Sequence, residues 1–144
     1  MAMFGVAASV ILRHDRVLLV KENYGSRRFG LPGGRIEPNE KPRDAAKRET
    51  REETGLEVAV RDLIGVYMIV GRTHVTGFVY LADVISGEAT VPPTGEIAEL
   101  GWYDPADLPE PLTNITVHAL IDALAGRRGV VRDDIEWRPA IYHR

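Results

Sequence analysis

Three glutamates, Glu49, Glu52 and Glu53, fall within five residues of one another in the stretch GGRIEPNEKPRDAAKRETREETGL, which in all sets six acidic against six basic side chains. If the stretch winds as a helix, each residue advances about 100°, and with Glu49 at 0° the other two stand at about 300° and about 40°. Ala45, Ala46 and Leu56 share that face, whereas Arg43, Lys47 and Arg51 point the opposite way. A surface helix ordinarily turns its small apolar residues inward and its charges outward. Here carboxylates lie on the inward side, where an unpaired one is expensive, and the like charges of Glu49 and Glu53 cost an isolated helix a further 0.2–0.5 kcal/mol or roughly so. A solvated helix laced with ion pairs is the plain alternative. The counter-charge that suits clustered carboxylate oxygens is a hard dication, Mg²⁺, Mn²⁺ or Ca²⁺ rather than a thiophilic metal. Gly33 and Gly34, just ahead, have no side chains to keep a backbone carbonyl or a phosphate at a distance.

The elements that must hold this cluster follow from local signals. Pro42 suits the first helical position and Gly55 the residue after the last, which brackets a helix of about three turns. Phe4 to Arg13 and Arg16 to Glu22 are β-rich runs joined by His14-Asp15, as in a hairpin. Asn23 to Gly34 is expected to be loop. Val58 to Val70 is a strand with a break or bulge at Arg61-Asp62 and Gly65; Val75 to Ile85 is another, across a tip at residues 71–74. A short strand is expected from Leu100 to Tyr103. Thr113 to Ala125 has helical spacing, with Val117, Leu120, Ile121 and Leu124 as its buried stripe and Gly126 as its end. The remainder, Arg127 to Arg144, reads as a basic tail carrying Trp137 and Tyr142. Strands interleaved with two helices predict an α/β fold, a mixed sheet covered by helices.

The 144 residues suit one domain, 1–144, with no internal repeat or linker. A formal charge of −3 offers no general attraction to nucleic acid or to an anionic membrane. With no cysteine, disulfides, thiolate nucleophiles and thiolate zinc sites are excluded. The apolar opening MAMFGVAASVIL lacks the positive segment of a signal peptide and is too short to span a bilayer, so the cytoplasm is the expected location. The four histidines, His14, His74, His118 and His143, show no metal-ligand spacing.

Gly34, Glu40 and the run Arg48-Glu49-Thr50-Arg51-Glu52-Glu53-Thr54-Gly55-Leu56 together resemble the Nudix box, the signature of Nudix hydrolases, with Phe29 to Gly33 similar to the usual lead-in. The one departure is Thr50, where an aliphatic residue is usual; it concerns helix packing and not a metal ligand. The resemblance implies a Nudix-type α/β/α sandwich with a mixed central sheet and flanking helices. It also implies hydrolysis of a nucleoside diphosphate linked to another moiety, with Mg²⁺ or Mn²⁺. By position, Glu49, Glu52, Glu53 and the Gly33 carbonyl would hold metal, Arg48 would orient the glutamates, and Glu40 would support helix and loop.

For the general base, members of the family use either a box glutamate or one on a later loop. Glu96 and Glu99, ahead of Trp102-Tyr103, are the candidates here, Glu99 ranked first. Tyr24, Arg27, Arg28 and Phe29 could meet a base and its phosphates beside Gly34, and Arg72 and His74 are weaker candidates. The proline found beyond the box in ADP-ribose hydrolases is absent, as is the tyrosine of diadenosine polyphosphate hydrolases. Nucleoside triphosphates, oxidised ones included, are therefore favoured over ADP-ribose or a nucleotide sugar. A catalytically idle nucleotide sensor is the rival class. The expected partner is a small nucleotide, with no nucleic acid or membrane, and a homodimer stays open as an assembly.

Overall fold

A computed structural model describes residues 2–71 and 73–138; Arg72, Tyr142 and His143, named above, lie outside the described residues. Strand β1 (Ala2–Arg13) turns through His14 and Asp15, both at positive φ (50° and 61°), into β2 (Arg16–Glu22). A two-residue turn of that kind matches the twist of paired strands. β1 runs parallel to β6 (Thr73–Ser86), β6 antiparallel to β5 (Glu57–Val70), and β5 parallel to β8 (Val130–Glu136). Short strands β3 (Phe29–Gly30) and β4 (Gly33–Arg35) pair with β2 and β1, and β7 (Ile97–Tyr103) pairs with β2. The pairing of β5 with β6 slips between Val60 and Leu63, so the break expected at Arg61-Asp62 is a bulge inside one strand.

Side chains alternate across a strand, and this places the helices. On β6, Val79 packs with Ala119 and Leu120 of helix α2 (Asn114–Leu124), whereas its neighbour Tyr80 packs with Ala45 and Ala46 of helix α1 (Pro42–Thr54). The two helices therefore cover opposite faces of a mixed sheet, which is the expected α/β/α sandwich. No helix among the described residues is long and apolar enough to cross a membrane.

Three readings of the sequence need correction. Residues 33–35 are a strand because they pair with Val6 to Ala8 of β1, a partner distant in sequence that leaves no local signal. Residues 130–136 likewise become β8 by lying along β5. The stripe expected on α2 is also rotated. Thr116, Ala119, Leu120 and Asp122 are buried, while Ile121 is 51% exposed and Leu124 49%. The cause is Asp122. Its carboxylate accepts hydrogen bonds from Arg132 (2.6 and 2.8 Å), Tyr67 Oη (2.9 Å) and Arg127 (3.0 Å), which hold it well below the usual carboxylate range and tie α2 to β5 and β8. A buried charge so fully partnered is tolerated on an inward face.

Candidate active site

Helix α1 begins at Pro42 and ends where Gly55 enters the left-handed region (φ 79°) and donates its N–H to Arg51 O. Ala45, Ala46 and Thr50 are fully buried against the sheet. The Thr50 hydroxyl donates to Ala46 O at 2.7 Å and lies 3.1 Å from the Ser9 hydroxyl on β1, so the polar residue at this position is satisfied where it is buried.

Ahead of α1, Pro32 O accepts from Ser9 N–H, and Leu31 N–H donates to Thr116 Oγ1 at the start of α2. These bonds fix the glycine pair between β1 and α1. A Cβ on Gly33 would collide with the Ala7 carbonyl, and one on Gly34 would lie 2.5 Å from the Glu49 carboxyl carbon. At Gly33 the obstacle is backbone, so glycine alone fits against the strand, whereas at Gly34 it is the end of the Glu49 side chain, which can turn aside.

The three glutamates share one side of α1 but not one environment. Glu53 accepts the Gly33 N–H at 2.8 Å; burial, against the pull of that bond, pushes its carboxyl up to about 8, and Glu49, Glu96 and Glu52 add repulsion. Burial also raises Glu49, against Arg48, and Glu52 and Glu96 reinforce the rise. The Glu49 side chain is 16% exposed and that of Glu52 53%, so Glu52 sits at the rim where the wheel alone made the three equivalent.

Arg48 is the cation among them. Its guanidinium donates to Glu40 (2.8 and 2.9 Å), Glu49 (2.9 Å), Glu52 (3.2 Å) and Arg35 O (3.0 Å). The bidentate bond to Arg48 holds the Glu40 carboxyl down at about 2. Arg51, two residues past Glu49, faces solvent and, among the described residues, its side chain reaches only Glu57, at 3.6 Å. Neighbours of identical chemistry thus do different work, and their variants should differ. Arg48→Ala is expected to lower the rate roughly a hundredfold, as loss of a partner that orients ligating carboxylates does. Arg51→Ala should leave the rate near normal and change stability by no more than about 0.5 kcal/mol. Steady-state rates and thermal melts of the two variants check this; equal losses in kcat would show that the helix faces are misassigned.

The donor set is one of hard oxygens under mutual repulsion, and it fits a divalent cation. Glu49 and Glu52 here turn toward Arg48 and Glu53 toward Gly33, so among the described residues no three such groups converge on a single point.

A cleft of about 440 Å³ opens beside these residues, and Gly33, Gly34, Glu53, Tyr24 and Arg28 line it, together with Arg35 and Trp137. Arg28 is braced by Glu22, which accepts from both its backbone N–H and its Nε. Arg35 lies over the Phe4 ring at 4.0 Å. Arg27 is exposed, with φ 49°, and is not part of the lining. Phe29 is corrected from substrate contact to core. It is 6% exposed, paired through β3 with Lys21, and its ring meets Tyr103 edge-on at 5.8 Å.

Of the two later acids, Glu96 is the one whose charge reaches Glu49, Glu53 and Tyr24. Its carbonyl accepts Asn23 N–H, which joins its loop to the one carrying Tyr24. Glu99 stands opposite Lys21 in β7 and acts on Tyr103. The register of β7 places Glu99 opposite Lys21, and the sequence gives no hint of it. Arg35 and Trp137 were not foreseen either. The first follows directly after the glycine pair, which was a usable signal; the second stands in what read as tail.

Comparison with known proteins agrees with this geometry. The NUDIX domain pattern matches residues 3–123. An ADP-ribose pyrophosphatase of Methanocaldococcus jannaschii is 36% identical over 70% of this chain and 62% of its own length. A CTP pyrophosphohydrolase of Escherichia coli is 38% identical over 54% of this chain and 56% of its own. The chain thus spans less than two thirds of either relative. The crystal structure of a MutT NUDIX hydrolase from Burkholderia pseudomallei superposes with a TM-score of 0.80 at 32% identity, over 85% of this chain and 98% of that one.

Proposed function

This chain belongs to the NUDIX family of hydrolases, and from that premise we propose that its cleft hydrolyses a nucleoside diphosphate joined to a further group, a nucleoside triphosphate, oxidised ones included, before others. Water would add across a phosphoric anhydride, leaving a nucleoside monophosphate and pyrophosphate. The observation that carries this reading is the meeting of crowded, partly buried carboxylates with a glycine pair, of which Gly33 has no room for a Cβ, at the wall of a cleft that also holds Arg28 and Arg35.

NUDIX hydrolases use divalent metal ions in general. In this reading Glu49, Glu52, Glu53 and the Gly33 carbonyl hold Mg²⁺ or Mn²⁺, which when bound screens phosphate charge and lowers the pKa of the attacking water. Arg48 keeps Glu49 and Glu52 in place, and Glu40 anchors Arg48. Gly34 lets a phosphate approach Glu49, and Arg28 and Arg35 receive phosphate oxygens with their planar donors. Glu96, ahead of Glu99, takes the proton of the attacking water, because its charge already acts on the acid cluster.

A second reading, ADP-ribose as substrate, is favoured by the name of the archaeal relative. Both are tested by following phosphate-containing products from ATP, GTP, CTP, UTP, an oxidised guanine triphosphate, ADP-ribose and a nucleotide sugar, with Mg²⁺ or Mn²⁺ present. Monophosphate and pyrophosphate released fastest from a triphosphate are the expected result. Faster cleavage of ADP-ribose would replace the first reading by the second, and no cleavage of any compound would overturn both.

A further inference from the structure

Trp137 stands beyond residue 123, where the NUDIX match ends, yet it lines the same cleft as Glu53. Its backbone is fixed on both sides. Its own N–H donates to Val70 O at the end of β5, 3.1 Å away. The next residue, Arg138, is clamped by Asn114, the first residue of α2: Asn114 Nδ2 donates to Arg138 O at 2.9 Å and Arg138 N–H donates to Asn114 Oδ1 at 3.1 Å. Asn114 is 3% exposed, so the clamp is anchored in the fold at its Asn114 end.

Trp137 is itself 53% exposed, and among the described residues it belongs to none of the three buried apolar clusters. A large aromatic group that is left half in water, while its backbone is fastened at both the residue and its neighbour, is arranged to receive something planar. The acid end of the cleft is poorly suited to that role. Tyr24, the other exposed aromatic residue of the lining, stands in the field of Glu22, Glu53 and Glu96.

We infer that Trp137, held at the cleft through its own backbone and that of Arg138, is the stacking surface for the nucleobase of the substrate. The substrate then lies with its phosphates toward the glycine pair and its base toward the start of α2 and the end of β5. The identity of the ligand as a nucleotide rests on the pyrophosphohydrolase reading above; the placement of its planar end rests on the clamp and the exposed ring.

Base stacking on one aromatic side chain, read by alanine substitution, is worth roughly a ten- to hundredfold change. Trp137→Ala should therefore raise KM for the best nucleoside triphosphate by roughly that factor with little change in kcat, and Trp137→Phe should recover much of the loss. Inorganic tripolyphosphate, which has no base, should compete equally well against both proteins. In a Trp102→Phe background, where Trp137 is the one remaining tryptophan, ATP, GTP, CTP or UTP should quench its emission saturably and tripolyphosphate should not. Quenching without hydrolysis of any nucleotide would keep this inference and sink the pyrophosphohydrolase reading. An unchanged KM in Trp137→Ala, equal losses for nucleotide and tripolyphosphate, or no nucleotide-dependent quenching would overturn the inference.

Discussion

Hydrolysis by this chain should stop in excess EDTA and return when Mg²⁺ or Mn²⁺ is added back, while the circular dichroism spectrum and the melting temperature should change little. The expectation comes from charge balance at α1. Four acids, Glu49, Glu52, Glu53 and Glu96, act on one another there. Arg48 answers Glu49 and Glu52 but is already engaged by Glu40 and by Arg35 O, and its bonds do not extend to Glu53. A polyanionic phosphate chain brought into this region adds more negative charge, which Arg28 and Arg35 alone would have to offset. A dication is what makes the approach favourable, and without it the approach is repulsive. The fold depends on other contacts. Ala45, Ala46 and Thr50 seat α1 on the sheet, and Asp122 with its arginines ties down α2. Product release and thermal melts, each with and without chelator, separate the two effects. Full turnover in excess EDTA would overturn the proposed role of the glutamates.

What could be read in advance was what local chemistry determines. Pro42 and Gly55 bound α1 because one tolerates a missing N–H and the other a left-handed φ. His14-Asp15 makes a hairpin turn and Arg61-Asp62 a bulge for similarly local reasons. The glutamate face was legible because a helix repeats regularly, but the wheel could not say that Glu52 lies at the rim, since that depends on where the sheet ends beneath it. Everything set by distant pairing was hidden. Phe29 looked available until β3 turned it toward Tyr103. The pairing that sets Glu99 opposite Lys21 depends on the register of β7. Ile121 and Leu124 looked like core because the partners of Asp122 come from β5, β8 and the turn after α2. Trp137 gained a place at the cleft only through a clamp spanning residues 114 and 138.

Glu53→Gln and Glu52→Gln should each lower kcat by orders of magnitude. The substitutions keep size and helix propensity nearly constant and remove one ligand charge. Loss of a few kcal/mol of charge stabilisation at the transferring phosphoryl group corresponds to roughly a hundred- to thousandfold in rate. The two positions differ in a way that controls for structure. Glu53 is partly buried and accepts the Gly33 N–H. A glutamine there retains an oxygen for that bond and relieves the burial of a carboxylate, so Glu53→Gln should melt no lower than the parent. The Glu52 side chain is 53% exposed and, among the described residues, bonded only to Arg48 at 3.2 Å, so its replacement should also leave melting nearly unchanged. If packing were the function of these acids, the buried position would be sensitive and the exposed one indifferent. If cation binding is their function, both lose activity while both keep their stability. Near-normal rates in both variants, on a substrate the parent is known to cleave, would place the reaction elsewhere on the molecule.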